Sequence, residues 1–127
     1  MLQHAARVPE TTDRTAELET LLDERILLLD GATGTQTQAL GIDEAGVRGE
    51  RFADHHKELK NFGDLLCLTN PEAVLTIHRR YLTAGSDIVE TNTFGASPVG
   101  MLDFEFGDQA EDLAREINTA AVKLALQ

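Results

Sequence analysis

The chain has a single cysteine, Cys67, among its 127 residues. One thiol excludes an intramolecular disulfide and leaves no cysteine cluster for a complete zinc site. Basic residues are also scarce: 11 Lys and Arg stand against 22 Asp and Glu, for a net charge of −11. Binding to nucleic acid or to an anionic membrane surface is driven by Lys and Arg, so neither is expected as a partner. No apolar run approaches the roughly 20 residues that a membrane-spanning helix needs. Met1 to Arg14 are polar and mixed in charge, without the apolar stretch of a signal peptide. A cytoplasmic protein is expected.

What is present is a globular composition. Apolar residues make up 42% of the chain, and a chain of this length forms one domain that buries about two-thirds of its unfolded surface. Residues 1 to 10 read as a loose tail ending in Val8-Pro9-Glu10. Thr12 or Asp13 then caps an acidic helix over Arg14 to Glu24, with Leu18, Leu21 and Leu22 at helical spacing. The period changes at Ile26-Leu27-Leu28-Leu29, a continuous apolar run of the kind found in strands buried on both faces. It stops at Asp30-Gly31, and the small residues Ala32-Thr33-Gly34-Thr35 let the backbone turn tightly.

Gln36 to Thr69 is polar and weakly patterned, and a connection of that length is functional or holds small elements of its own. Leu65 to Leu68 reads as a short turn or helix. Asn70-Pro71-Glu72 has a capping residue, a proline for the first helical position and an acid in the first turn. Val74, Ile77, Tyr81 and Leu82 share one face of the helix that follows, and Gly85 supplies its left-handed end. Ile88 to Thr91 reads as a second short strand and Thr93-Phe94-Gly95 as a loop. A last helix starts near Asp108 and carries Leu113, Ile117, Ala120, Ala121 and Leu124. No terminal cap follows, so this helix is expected to be cut within its period. The order is helix, strand, long loop, helix, strand, loop, helix, which suits a parallel α/β fold with right-handed crossovers. Two strands cannot close a barrel, so the chain is expected to be one portion of a larger unit.

The chemistry gathers where strands end. Parallel sheets and barrels both place ligands at strand carboxyl ends. Asp30 sits there and can accept hydrogen bonds from a substrate ammonium, while Gly31 lets a ligand carboxylate approach backbone N–H groups. The other reading is a plain Asp-Gly turn, although the flanks do not alternate as hairpin strands do. A phosphate loop over Gly31 to Gly34 lacks the required glycine spacing and Lys-Ser/Thr pair. Glu90, Asn92 and Thr93 occupy the same end of the second strand. Glu90 is either a buried, pKa-shifted acid or a bridge to a neighbouring strand, and Asn92 and Thr93 bind a ligand or cap the loop. His4, His55, His56 and His78 read as surface or core residues, and Cys67 as a small buried hydrophobe. Arg48 and Arg51 reach an anion or lie on a solvated loop.

Four ordered blocks carry a family resemblance across roughly residues 18 to 127. Glu24 to Thr35 resembles the first barrel strand of homocysteine S-methyltransferase domains. Arg48 to Asp54, Asp64 to Glu72 and Gly85 to Phe94 are similar to segments of the cobalamin-dependent methionine synthases. The resemblance implies a (β/α)8 barrel of about 250 residues, of which this chain is the N-terminal portion, incomplete. Residues 1–17 are then the tail and the start of the leading helix, and 18–127 the first βα units of a homocysteine-binding domain.

The resemblance also implies a chemistry. Asp30 would hold the homocysteine ammonium, and the backbone at Gly31 and Ala32 would receive its carboxylate. Zinc held by three cysteines would generate the thiolate, which takes its methyl group from cobalamin recharged by methyltetrahydrofolate. Those cysteines lie in later strands, as do the folate- and cobalamin-binding domains, so the fragment alone is expected to be inactive and of low stability, with open strand edges. The family's turn usually carries glycine then methionine where this chain has Ala32 and Thr33. The alternatives are a betaine- or S-methylmethionine-dependent homocysteine methyltransferase, or a non-catalytic fragment.

Overall fold

A computed structural model describes residues 12–127. The tail assigned to residues 1 to 10, with His4, lies outside them. The leading helix α1 spans Thr15–Glu24. Asp13 serves its start, accepting the Thr15 N–H at 2.9 Å and the Thr15 hydroxyl at 2.6 Å. None of its residues is buried, so the leucine spacing marks a face with no cover among the described residues.

The expectation of two buried strands is corrected. Ile26–Leu29 and Ile88–Thr91 meet in a single parallel bridge, Leu29 opposite Ile88, and no longer strand forms among the described residues. Ile26 is 85% exposed and Leu29 59%. Two parallel segments alone have neither flanking strands nor covering layers, and pairs of this kind are marginal. The side chains add a second cause. Asp30 N–H donates to the Ile88 carbonyl at 2.9 Å, and Ile88 N–H to the Leu28 carbonyl at 3.2 Å. The next rung would run from Glu90 N–H to the backbone carbonyl of Asp30. Instead Glu90 N–H donates to the Asp30 carboxylate, Oδ2, at 3.1 Å. The ladder ends on a side chain.

The entry to the bridge is fixed by a second carboxylate. Asp87 accepts two bonds from Arg25, at 2.6 and 2.9 Å, and the Leu28 N–H at 2.9 Å. The Arg25 guanidinium first, and then the Leu28 N–H, hold its carboxyl down to about 2. A carboxylate lowered on folding stabilises the native state above its ordinary value of 3.8, and that contribution is lost as pH falls through about 2. Asp87→Asn should therefore lower stability at neutral pH and flatten its fall in acid. Acid-unfolding curves of the two proteins that stay parallel down to pH 2 would count against this.

The long polar stretch holds small elements. Helix α2 covers Thr33–Ala39, α3 Glu44–Arg48 and α4 Leu66–Thr69, the last entered through a 3-10 turn at Gly63–Leu65. Helix α5, Pro71–Ala84, starts and stops as its sequence indicates. The Asn70 side chain accepts the Ala73 N–H, and Gly85 takes φ 112°, which favours glycine. Val74 and Ile77 are buried with Leu75 and His78, whereas Leu82 is exposed. Helix α6, Ala110–Ala125, buries Leu113, Ala114, Ile117, Ala121 and Leu124.

The core lies where α4, α5 and α6 meet the 47–66 segment. Its fully buried side chains include Phe62, Leu59, Leu65, Leu66, Met101 and Ile117. Above it the 93–101 loop folds back on itself: a Cβ at Gly100 would lie 2.5 Å from the Gly95 carbonyl oxygen, so only glycine fits. The observed architecture is mostly helical, with one β-bridge. It is consistent with part of a barrel domain. No helix among the described residues is long and apolar enough to cross a membrane.

Candidate functional site

The bridge aligns the two turns that follow it, and a cavity of about 900 Å³ opens between them. Gly31, Gly34, Asp64, Glu90, Asn92 and Thr93 are on its walls. Four of the six expected site residues, Gly31, Glu90, Asn92 and Thr93, thus face one space. Asp30 and Ala32 lie beside it without lining it. Ala32 is exposed on the turn. The Thr33 hydroxyl donates to the Gly31 carbonyl at 3.1 Å, which ties the turn to the start of α2.

Each wall residue is held differently. Glu90 is exposed, its N–H spent on Asp30. Asn92 Nδ2 donates to the Gly63 carbonyl at 2.9 Å, linking the second turn to the 3-10 turn before α4. The hydroxyls of Thr91 and Thr93 are 2.8 Å apart and share a hydrogen bond. Asn92 and Thr93 therefore both support the loop and line the cavity.

Asp64 is a wall residue that its local sequence does not mark as one. It is buried and accepts the Gly95 N–H at 2.8 Å. Burial holds its carboxyl above the ordinary carboxylate range, and the N–H groups of Gly95, Asp64 itself and Ala96 offset only part of that rise. No local signal marks it, because the Gly95 N–H that it accepts is 31 residues further along the chain. Lys60 also lines the cavity.

The remaining candidates fall elsewhere. The Arg48 guanidinium is committed to Glu44 and to loop carbonyls, and Arg51 to Glu116. His55 stacks on Phe106, with ring centroids 4.5 Å apart, and its Nε2 meets the Phe104 carbonyl. His56 pairs with Glu105. His78 is buried. Cys67 is the small buried residue its sequence suggested. Burial pushes its thiol up to about 12, against a smaller lowering through Asn92.

Such a thiol does not fit a zinc ligand, which must be deprotonated. Among the described residues no group of three or more His, Cys, Asp or Glu is placed to hold a metal ion. No step is therefore assigned to zinc or cobalamin on these residues. The family model for homocysteine S-methyltransferase matches residues 27–127. That span takes in the bridge, both turns, the cavity and α4 to α6, and is well over half of the chain. The chain belongs to the homocysteine S-methyltransferase family, whose general chemistry is the methylation of homocysteine.

Proposed function

We propose that this cavity is the amino-acid end of a homocysteine site, and that the whole protein is a methionine synthase using methyltetrahydrofolate through cobalamin. The observation that carries the first part is the shared wall: the two turns that follow the bridged segments, one with Gly31 and one with Glu90, face a single space. Backbone N–H groups at Gly31 and Ala32 receive the substrate carboxylate. Asp30 and Glu90 are the acids for the ammonium, with Asn92 and Thr93 as further polar contacts. The donor assignment is supported by the Arg48 to Asp54 and Glu90 to Phe94 blocks. The proposed fold of the complete domain is a (β/α)8 barrel, with zinc and the folate- and cobalamin-binding parts supplied by other residues of the protein.

Homocysteine titration of the full-length protein by calorimetry tests the site. A charge-assisted hydrogen bond contributes about 1.5–3 kcal/mol, so Asp30→Asn should weaken binding by roughly 10- to 100-fold. Unchanged affinity in both Asp30→Asn and Glu90→Gln would remove the cavity from consideration. Turnover with methyltetrahydrofolate, betaine and S-methylmethionine in parallel tests the donor. Methionine formed only from betaine or S-methylmethionine would replace the synthase reading with the cobalamin-free alternative.

A further inference from the structure

Beneath the Gly31 turn lie buried polar atoms that have no protein partner among the described residues. His78, on α5, is only 5% exposed, and neither ring nitrogen has a hydrogen-bond partner among the described residues. Asp30 Oδ1 is likewise buried and without a partner there. These three atoms are the buried side-chain nitrogens and oxygens in that condition among the described residues. Both side chains lie where α5 packs against the turn and α2, and the Asp30 charge acts on the imidazole there against the effect of burial.

The helix that carries His78 underlies the turn. One turn of helix further on, the Tyr81 hydroxyl comes within 3.9 Å of the space that a Cβ at Gly31 would fill. Arg80 of the same helix donates to Gln36 of α2 at 3.2 Å. α5 is thus packed against the turn and its following helix, with the imidazole on the inner side.

The chemistry of the two groups is complementary. A carboxylate oxygen accepts only, and a neutral imidazole has one N–H and one lone pair. Burial disfavours the charged ring, so His78 is the neutral form. A buried acceptor and a buried donor, both unsatisfied on one packed seam, satisfy each other when they meet in one hydrogen bond.

We infer that His78 is a positioning residue for Asp30: a ring N–H takes Oδ1 while the Glu90 N–H holds Oδ2, so the carboxylate is fixed across the end of the strand pair. Both oxygens are then tethered from the protein side, and their remaining lone pairs are set for a substrate ammonium. This consequence for substrate rests on the reading of the turn as a homocysteine site. His78 touches no substrate and acts through Asp30 alone.

The pair is tested without any ligand. In the full chain carrying 15N-histidine, long-range 15N–1H spectra report which ring nitrogen is protonated and how strongly it is bonded; His78 is assigned by loss of its signals in His78→Gln. Asp30→Asn should shift the protonated nitrogen of His78, and Glu90→Gln should leave it in place. His78 resonances indifferent to Asp30→Asn overturn the inference.

Homocysteine calorimetry adds the functional arm. His78→Phe should weaken binding about tenfold, equivalent to one ordinary hydrogen bond, and His78→Gln, whose amide can donate, should recover most of it. Equal affinities for the unsubstituted protein and His78→Phe overturn the positioning role. Absence of homocysteine binding by the unsubstituted protein, with the spectroscopic coupling intact, sinks the substrate reading and supports the pair.

Discussion

Phe62→Ala should lower the unfolding free energy by about 3–5 kcal/mol, the range for truncating a fully buried aromatic ring. Phe62 is 2% exposed. Its ring stacks on Phe104 at 4.7 Å between centroids and lies 6.0 Å from Phe106. It also closes on Gly95, where an added Cβ would meet the ring at 3.3 Å. One ring thus joins the 47–66 segment, the 102–106 turns and the loop over the core, three pieces with little regular structure to hold them otherwise. Domains of this kind have about 5–15 kcal/mol in total, so the loss is a large fraction. Urea unfolding checks it: the midpoint falls while the slope is kept. Leu102→Ala, at a residue 70% exposed in the same region, should stay within about 0.5 kcal/mol. Similar effects for the two would contradict the packing described.

The second large effect is electrostatic. Arg48 stands at the end of α3, and its guanidinium gathers the chain around it. It donates to the carbonyls of Phe52 at 3.2 Å, His55 at 2.5 Å and Lys57 at 2.7 Å, and to the Glu44 carboxylate. Glu44 in turn accepts the Leu59 N–H at 2.8 Å. An otherwise structureless run is wound around one planar cation. Hydrogen bonds to a charged group contribute about 1.5–3 kcal/mol each without adding fully, so Arg48→Met should cost about 3 kcal/mol. Arg48→Lys should recover less than half, because an ammonium cannot present the same fork to three carbonyls. Denaturation and limited proteolysis together test this. The expected new cleavage lies between Gly49 and Glu58, and a lysine variant as stable and as protease-resistant as the native protein would refute the clamp.

The contrast between these residues shows what was legible in the sequence. Helix α5 could be read from Asn70-Pro71 to Gly85 because its stop and start signals are local: a side-chain cap, a ring that fixes φ, and a residue free to adopt positive φ. Helix α6 could be read from its period. The two strands could not, because an apolar run records a preference for burial and does not supply the neighbouring strands that would cover Ile26 and Leu29. Arg48 reads as an exposed loop cation, since nothing local reveals that carbonyls up to nine residues away converge on it. At the site, glycine and acid at strand ends located Gly31, Glu90, Asn92 and Thr93 on one cavity. The inward turn of Asp30 was not legible, for it depends on the Glu90 N–H and on what α5 places beneath.

The carboxylate that ends the ladder also makes one amide proton a gauge. Glu90 N–H is held by a side chain that can rotate, whereas the neighbouring Asp30 N–H is held by the Ile88 carbonyl of the main chain. Exchange of the Glu90 proton with solvent therefore follows the rotamer of a single aspartate, and exchange of the Asp30 proton follows the parting of the two segments. Side-by-side rates at these positions separate loosening of the turn from opening of the bridge, two motions that a melting curve reports as one.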